Sequence, residues 1–304
     1  MDDKKKVEDV GFSTHGSASI NRSINKNGSF NVVKRGNRSV YKDVFHYLIS
    51  VGLIKFLLII LLFYSIVNLI FGLVYYSMGT SHFTLDQSTS EISNFLNSLF
   101  FSFQTFGTIG YGYISPISVW ANSIVVLEIF LGMVSVALLA GLVYARFSKP
   151  KTRILFSNNV IFHEKDPKFT SLKFKLVNKR NSIMIDTEIK VILAIRNKEN
   201  DVIKYNTLKL HVDKILFFPL TWTVMHVIDE NSPLFTMTKE NFKDLNPELL
   251  IRVKGFDDKY HQNVYANFSY HIEDWVWNKK FVKNFEPSVD GMLHMDVNDV
   301  HKYK

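Results

Sequence analysis

The chain has 304 residues, a length that allows about two domains, and 36 Lys and Arg against 28 Asp and Glu give it a formal net charge of +8. It has no cysteine, which excludes disulfide bonds and thiolate metal sites. The positive charge is compatible with a nucleic-acid partner. A surplus of Lys and Arg beside a membrane explains it equally well, and the distribution of charge along the chain favours that explanation, so we expect no nucleic-acid partner.

Residues 1–38 are rich in Asn, Ser, Gly and Lys and have few large apolar side chains. Such a segment buries too little surface to offset the entropy lost on ordering, so we predict a disordered cytoplasmic tail. It has neither the apolar stretch nor the cleavage site of a secretory signal, and we do not expect it to be removed.

Residues 39–52 are predicted to form a slide helix, a short amphipathic helix in the membrane interface. Val44, Tyr47 and Val51 recur at helical spacing, while charged and polar residues such as Lys42 lie on the other side. The alternative is a plain extension of the first membrane span.

Two segments are apolar and long enough to cross a bilayer. The first covers about 55–78, and its 23 residues from Phe56 to Met78 carry no charge and span about 34 Å as a helix. The second covers about 118–147 and contains a single carboxylate, Glu128, before its basic end. An isolated carboxylate at mid-membrane costs about 2.5–3.5 kcal/mol, so Glu128 is expected to face protein or water.

The basic residues give the orientation of the two spans. No Lys or Arg occurs between residues 79 and 118, whereas several precede the first span and follow the second. The excess of Lys and Arg in cytoplasmic loops therefore predicts that both termini are cytoplasmic, which in a bacterium means a protein of the inner membrane.

The segment between the spans carries the chemistry. Residues 94–106 are apolar but too short to cross, which predicts a re-entrant pore helix. The following Thr108, Ile109, Gly110, Tyr111 and Gly112 match a potassium selectivity filter, in which backbone carbonyls and a threonine hydroxyl replace the water around K⁺. The glycines allow the positive φ angles that such a filter needs. One filter in each chain implies a homotetramer, with a pore domain over 53–148.

At this point the sequence resembles the inward-rectifier potassium channels, in particular their bacterial members. The resemblance covers about residues 38–295. It rests on the filter and on three further stretches, namely 127–133 (LEIFLGM), 141–151 (GLVYARFSKPK) and 226–234 (HVIDENSPL).

The resemblance implies roles for residues near the end of the second span. Gly132 matches a proposed hinge of the inner helix, and Tyr144 matches the residue that closes the pore. Arg146, Lys149 and Lys151 match positions that contact anionic phospholipids. The alternatives are that Tyr144 is an interfacial aromatic anchor and that the basic residues only set the topology.

The sequence also departs from the family pattern. Tyr113 follows the filter where many potassium channels have Asp, which alters the outer mouth. Val136 aligns with the pore-lining site that is acidic or polar in strong rectifiers, so block by polyamines or Mg²⁺ is expected to be weak. We expect Glu128, about two turns earlier, to line the pore and to substitute in part.

Residues 149–304 have a different character. Apolar side chains alternate over 189–195 and 264–272, and turn residues recur between such stretches, which predicts an all-β sandwich. The resemblance implies an immunoglobulin-like cytoplasmic regulatory domain, with Asp186 and Asp258 near acidic positions of the cytoplasmic pore. The alternative is that both are solvated surface carboxylates.

The predicted function is therefore passive K⁺ conduction, gated where the inner helices converge and modulated by anionic lipid and the cytoplasmic domain. No metalloprotease motif or phosphate loop occurs, so we expect no enzyme activity and no cofactor, with K⁺ as the permeant ion and the only bound metal. The resemblance to bacterial members implies inhibition by polyphosphoinositides. The alternatives are a potassium uniporter or transporter subunit and a membrane-tethered receptor with a β-sandwich ligand module.

Overall fold

The computed structural model describes residues 11, 22–33, 35, 43–84, 90–150, 152–165, 168–197, 202–237 and 245–304. These residues form two compact units. The membrane unit is Gly36–Lys149, and the β unit combines Met1–Arg35 with Pro150–Lys304.

In its described residues, the membrane unit contains four helices, α1 (Val44–Ser50), α2 (Leu53–Met78), α3 (Glu91–Phe106) and α4 (Val119–Phe147), with a short 3-10 turn at Thr80–His82. Helices α2 and α4 are long and apolar enough to cross a membrane. Their 26 and 29 residues correspond to about 39 Å and about 44 Å. The predicted arrangement of two spans around a shorter helix is therefore confirmed.

Helix α1 is separate from α2. Val51 and Gly52 are extended, with ψ angles of 156° and 148°, so α1 does not simply continue the first span. It is shorter than the predicted slide helix, of which residues 39–42 lie outside the described part of the chain.

Helix α3 begins three residues before its predicted start, directly after Ser90, and carries Glu91 in its first turn. A carboxylate there is favourable because the amino end of a helix carries partial positive charge. Helices α2 and α3 approach closely at Gly72, where a β-carbon would lie 3.0 Å from Cα of Leu99.

The β unit is the predicted sandwich. One sheet contains β1 (Ile154–Phe156), β3 (Lys168–Asn178), β2 (Val160–Lys165) and β10 (Trp275–Trp277) in that order, with β7 (Trp222–Val227) also paired to β3. The other contains β5 (Val202–Thr207), β4 (Met184–Asn197), β8 (Glu248–Asp257) and β9 (Gln262–His271), with β6 (Lys214–Phe218) also paired to β4. A small hairpin pairs β11 (Phe285–Pro287) with β12 (Leu293–Met295).

The core of the β unit lies between the two sheets. Side chains of both sheets form one buried cluster, in which Phe174 and Leu176 of the first sheet meet Val191, Leu193 and residues of β8. Buried residues alternate with more exposed ones along β7, which is the period of two that is typical of β-strands.

Part of the predicted N-terminal tail is folded onto this sandwich. Residues 22–31, here called the N-terminal hairpin, double back so that Ile24 pairs with Phe30. Only 4% of Ile24 is exposed, and its backbone carbonyl accepts a 2.6 Å hydrogen bond from Ser269 Oγ. The side chain packs in a cluster with Ala194, Tyr205 and Leu250.

Charged groups hold the same hairpin. The Ser23 amide donates to the buried Glu248 carboxylate at 2.8 Å, and both Arg22 and Lys26 contact Asp274. The prediction of a free tail is therefore wrong for residues 22–31. Its composition is poor in apolar groups, but one buried isoleucine combined with ordered acceptors on the sandwich is enough to order it.

Candidate ion-conduction site

The filter segment has an alternating backbone. The φ angles of Thr108, Gly110 and Gly112 are 53°, 60° and 78°, and the two residues between them are not in this positive region. Alternation of left- and right-handed conformations turns successive carbonyl groups toward one side of the chain. A β-carbon at Gly110 or Gly112 would meet nothing within 4 Å, so positive φ rather than space accounts for glycine there.

The filter follows directly from the carboxyl end of α3. The amides of Gly107 and Thr108 donate to the carbonyls of Phe103 and Thr105 at 3.1 Å and 3.0 Å, and the Ile109 amide donates to the Gln104 carbonyl at 2.7 Å. These bonds fix the start of the filter on the last turn of the helix. The carboxyl end of a helix carries partial negative charge, which favours a cation nearby.

The two large side chains of the filter remain exposed within a single chain. Ile109 is 53% exposed and Tyr111 is 76% exposed. Large apolar and aromatic side chains that are exposed in a single chain indicate a surface that contacts another part of the assembled protein.

Helix α4 and the start of the filter share a cleft of about 290 Å³. Val136 lines it together with Thr108, and its role as a pore-lining residue stays a prediction. The other lining residues are Phe106, Gly107, Gly132, Met133, Ala137 and Ala140.

Tyr144 lies two turns after Val136, about 12 Å further along α4. It follows Ala140 by four residues and therefore continues the same helical stripe away from the cleft. Its side chain is 75% exposed in the single chain. The position is compatible with a constriction below the cleft, and its role as a gate stays a prediction.

Gly132 is a point of close packing. A β-carbon there would lie 2.4 Å from the carbonyl oxygen of Phe106, the last residue of α3. The structure thus provides a steric reason for glycine that does not depend on bending of α4, and the role as a hinge stays a prediction.

Glu128 does not line the cleft. It is 0% exposed and lies where α2, α3 and α4 meet. Tyr75 of α2 donates to Oε2, and Ser102 Oγ of α3 forms a 2.6 Å hydrogen bond with Oε1. The expectation that this carboxylate faces protein was correct, but the prediction that it lines the pore is wrong for this structure. Sequence reasoning did not identify Tyr75 or Ser102.

Arg146 is engaged within the membrane unit. Its guanidinium donates to the carbonyl of Leu48 at 3.1 Å and to that of Val51, and lies 5.0 Å from the ring centroid of Phe56. These carbonyls end α1, so Arg146 binds the negative end of that helix. Lys149 is exposed, and Lys151 lies outside the described residues.

The two acidic residues predicted for the cytoplasmic pore lie near one end of the second sheet, where Met184 of β4 is paired with Asp257 of β8. Asp186 is exposed, has a φ of 47° and forms a 3.1 Å ion pair with Lys214. Oδ1 of Asp258 is buried and has no hydrogen-bond partner among the described residues. Their role stays a prediction.

Comparison with known proteins covers both units. A family model described as "Ion channel" matches residues 49–149, and one described as "Inward rectifier potassium channel C-terminal domain" matches residues 154–304. The chain is 32% identical to inward rectifier potassium channel Kirbac3.1 of Paramagnetospirillum magnetotacticum, over 92% of this chain and 95% of the relative. It is 26% identical to G protein-activated inward rectifier potassium channel 4 of Mus musculus, over 95% of this chain and 74% of the relative.

One solved structure is also similar in part. Pseudomonas fluorescens alkylpurine DNA glycosylase AlkC, bound to DNA containing an abasic site analog, matches 60% of this chain and 48% of its own. The identity is 12% and the TM-score is 0.20, which is too low to indicate a shared fold.

Proposed function

Because the chain belongs to the inward rectifier potassium channel family, we propose that four copies form a pore that conducts K⁺ passively and selectively. The observation that carries this proposal is the alternating backbone at Thr108, Gly110 and Gly112. Such a segment provides one wall of carbonyl oxygens, and a ring of oxygens around a cation needs symmetric copies. The uncovered Ile109 and Tyr111 support the same assembly, because neighbouring copies would cover them.

The test is ion flux into liposomes that contain the purified full chain. We expect K⁺ flux well above Na⁺ flux. Gly110→Ala should abolish it, because a non-glycine residue in the left-handed region costs about 1–2 kcal/mol at each of four positions in the pore. Gly52→Ala is the matched control, since Gly52 has negative φ and a β-carbon there meets nothing within 4 Å.

Three results would contradict the proposal. Comparable Na⁺ and K⁺ flux in the wild type would reject selectivity. A monomer in the membrane would favour the transporter alternative, and an absence of flux with every lipid composition would favour the receptor alternative.

For the part of the ion-conduction path beyond the filter, we infer that Val136 lines the pore and that Tyr144 forms the gate. The apolar Val136 supports weak rectification, because it offers no charge to hold polyamines or Mg²⁺. Val136→Asp should therefore increase block by spermine in the same flux assay. Block that stays at the wild-type level would place residue 136 away from the conduction path.

We further propose regulation by anionic lipid, with Lys149 and Lys151 as headgroup contacts and with inhibition by polyphosphoinositides. Arg146 instead donates to the carbonyls at the end of α1, so we assign it the role of holding α1 against the end of α4. Lys149→Gln should weaken the inhibition, and activation by the added lipid would refute its sign.

The distribution of basic residues supports an inner-membrane protein with both termini and the β unit in the cytoplasm. In that arrangement we propose that Asp186 and Asp258 lie along the cytoplasmic part of the pore. Lys214 offsets the charge of Asp186, so neutralising Asp258 should reduce conductance more than neutralising Asp186. Equal conductance in both variants would argue against this role.

A further inference from the structure

A buried polar network lies behind the pore helix α3. It contains Asn68 and Tyr75 of α2, Ser102 of α3 and Glu128 of α4, each with 1% or less of its surface exposed. Ser102 Oγ lies 2.6 Å from Glu128 Oε1 and 3.2 Å from Asn68 Oδ1, and Tyr75 donates to Glu128 Oε2. Polar groups so thoroughly buried must satisfy their hydrogen bonds with one another.

The number of protons decides how this network is satisfied. The Asn68 amide nitrogen donates to the Tyr64 carbonyl at 2.7 Å, so its Oδ1 is the atom that faces Ser102. The Ser102 hydroxyl has one proton but two neighbouring acceptors. If Glu128 is ionised, either its Oε1 or Asn68 Oδ1 is left without that proton.

A proton on Glu128 removes the conflict. Oε1 then donates to Ser102 Oγ, Ser102 donates to Asn68 Oδ1, and Oε2 still accepts from Tyr75. Each of these buried atoms obtains a partner without any change of position. A fully satisfied buried network is strongly preferred over a partly satisfied one.

The charges of the membrane unit point the same way. No Lys or Arg occurs between Lys55 and Arg146, and Arg146 is occupied by carbonyls at the end of α1. The described partners of Glu128 are hydroxyl groups from α2 and α3. On one side, the Tyr75 ring packs edge-to-face with Phe83 and Phe101, at centroid distances of 5.5 Å and 5.1 Å. Glu128 is fully buried and has no Lys or Arg among its described partners, so its ionised form would carry a large desolvation cost.

The position of the network connects it to the filter. Ser102 lies six residues before Thr108 on the helix that carries the filter. One turn after Glu128, Gly132 touches the Phe106 carbonyl at the end of the same helix. Helix α4 thus holds the pore helix at two successive points.

We propose that Glu128 is a protonated carboxylic acid that positions the pore helix, and through it the selectivity filter, between α2 and α4. The proton is a structural component of the site, and the network is what holds it there. Only the consequence for the filter rests on the proposed channel function.

Infrared spectroscopy of the full chain in liposomes tests the protonation directly. At neutral pH we expect the carbonyl band of a protonated carboxylic acid in the wild type, absent from E128Q and retained in E91Q. Glu91 is the matched control because it is an exposed glutamate at the start of α3. Ser102→Ala should shift the band by removing a hydrogen bond. A wild-type spectrum identical to that of E128Q in this region would overturn the proposal.

Flux of K⁺ relative to Na⁺ tests the positioning. Gln has the same shape as the protonated acid and can also donate to Ser102, so E128Q should keep the wild-type ratio. E128A should lower the ratio about tenfold, the factor that corresponds to one net buried hydrogen bond. If E128A does not assemble, Ser102→Ala removes the same contact with a smaller change and should lower the ratio in the same direction.

Wild-type selectivity in both E128A and S102A would overturn the positioning role. A ratio in E128Q as low as in E128A would show that the ionised form is required and would also overturn the proposal. The infrared band does not depend on conduction. An absence of flux in the wild type would therefore reject the proposed function, but it would not affect the test of whether Glu128 is protonated.

Discussion

Substitution of Gly132 by alanine distinguishes a packing role from a hinge. A new β-carbon would lie 2.4 Å from the Phe106 carbonyl oxygen and 3.3 Å from its carbon. Carbon and oxygen normally approach to about 3.3 Å, so the two helices would have to separate by about 1 Å. The obstacle is backbone at the end of the pore helix, which cannot rotate away as a side chain could.

The two roles predict opposite signs. If Gly132 only makes α4 flexible, alanine should stabilise the helix by about 0.8–1 kcal/mol. If it allows close packing, overpacking should cost about 1–3 kcal/mol, more than the helix gains. We therefore expect a net loss of stability in G132A, together with reduced selectivity because Phe106 lies two residues before Thr108.

Thermal dissociation of the proposed tetramer in detergent, followed alongside K⁺ and Na⁺ flux, measures both effects. Gly141→Ala is the control, because a β-carbon at Gly141 meets nothing within 4 Å on the same helix. G141A should be as stable as the wild type or slightly more so. A G132A protein as stable and as selective as G141A would refute the packing argument.

Three further outcomes are expected. Arg146→Gln should accelerate amide hydrogen exchange in α1 by removing its contacts to the helix end, whereas Lys149→Gln should not, and equal exchange would contradict this role. Ile24→Asp should release the N-terminal hairpin at a cost of about 2–4 kcal/mol of docking free energy, seen as rapid exchange over residues 22–31, whereas Val33→Asp at an exposed position should not. Burial lowers the pKa of His226, against the opposing effects of the Lys209 carbonyl and Asp229, so the folded state binds protons less readily than the unfolded one. Stability should therefore be full above the ordinary histidine pKa of about 6.5 and fall as the pH drops below it, a dependence that His226→Gln should weaken in chemical denaturation of the full chain.

The parts of the fold that follow from bilayer physics were predictable from the sequence. An apolar stretch of more than 20 residues has few stable structures in a membrane other than a spanning helix. A half-span followed by irregular backbone must be buried in protein or lie beside water. The period of two in the β unit likewise predicted strands, because it records which side of each strand is buried. These are local patterns, and they do not depend on knowing any partner.

The errors all concern contacts between residues far apart in the chain. The hairpin around Ile24 is held by Glu248 and Asp274, which lie more than 200 residues away in the sequence. The composition of residues 1–38 alone therefore gives no sign of these contacts. Glu128 was placed in the pore by its distance along the sequence from Val136. Eight residues at 100° each leave the two side chains about 80° apart around α4, so helix geometry already argued for different surroundings.

The contacts of α4 also indicate where this helix can bend. Its first half is held to the pore helix by Glu128 and Gly132, and Arg146 ties its last turn to α1. Bending at Gly132 would have to break a contact with backbone, whereas Gly141 has free space on its side of the helix. A glycine without contacts lowers the cost of bending, since no packed neighbour has to move and helix propensity is already weak there. If Tyr144 forms the proposed constriction, the motion that opens it is expected to pivot near Gly141 and to carry α1 with it through Arg146, while the pore helix and filter keep their place.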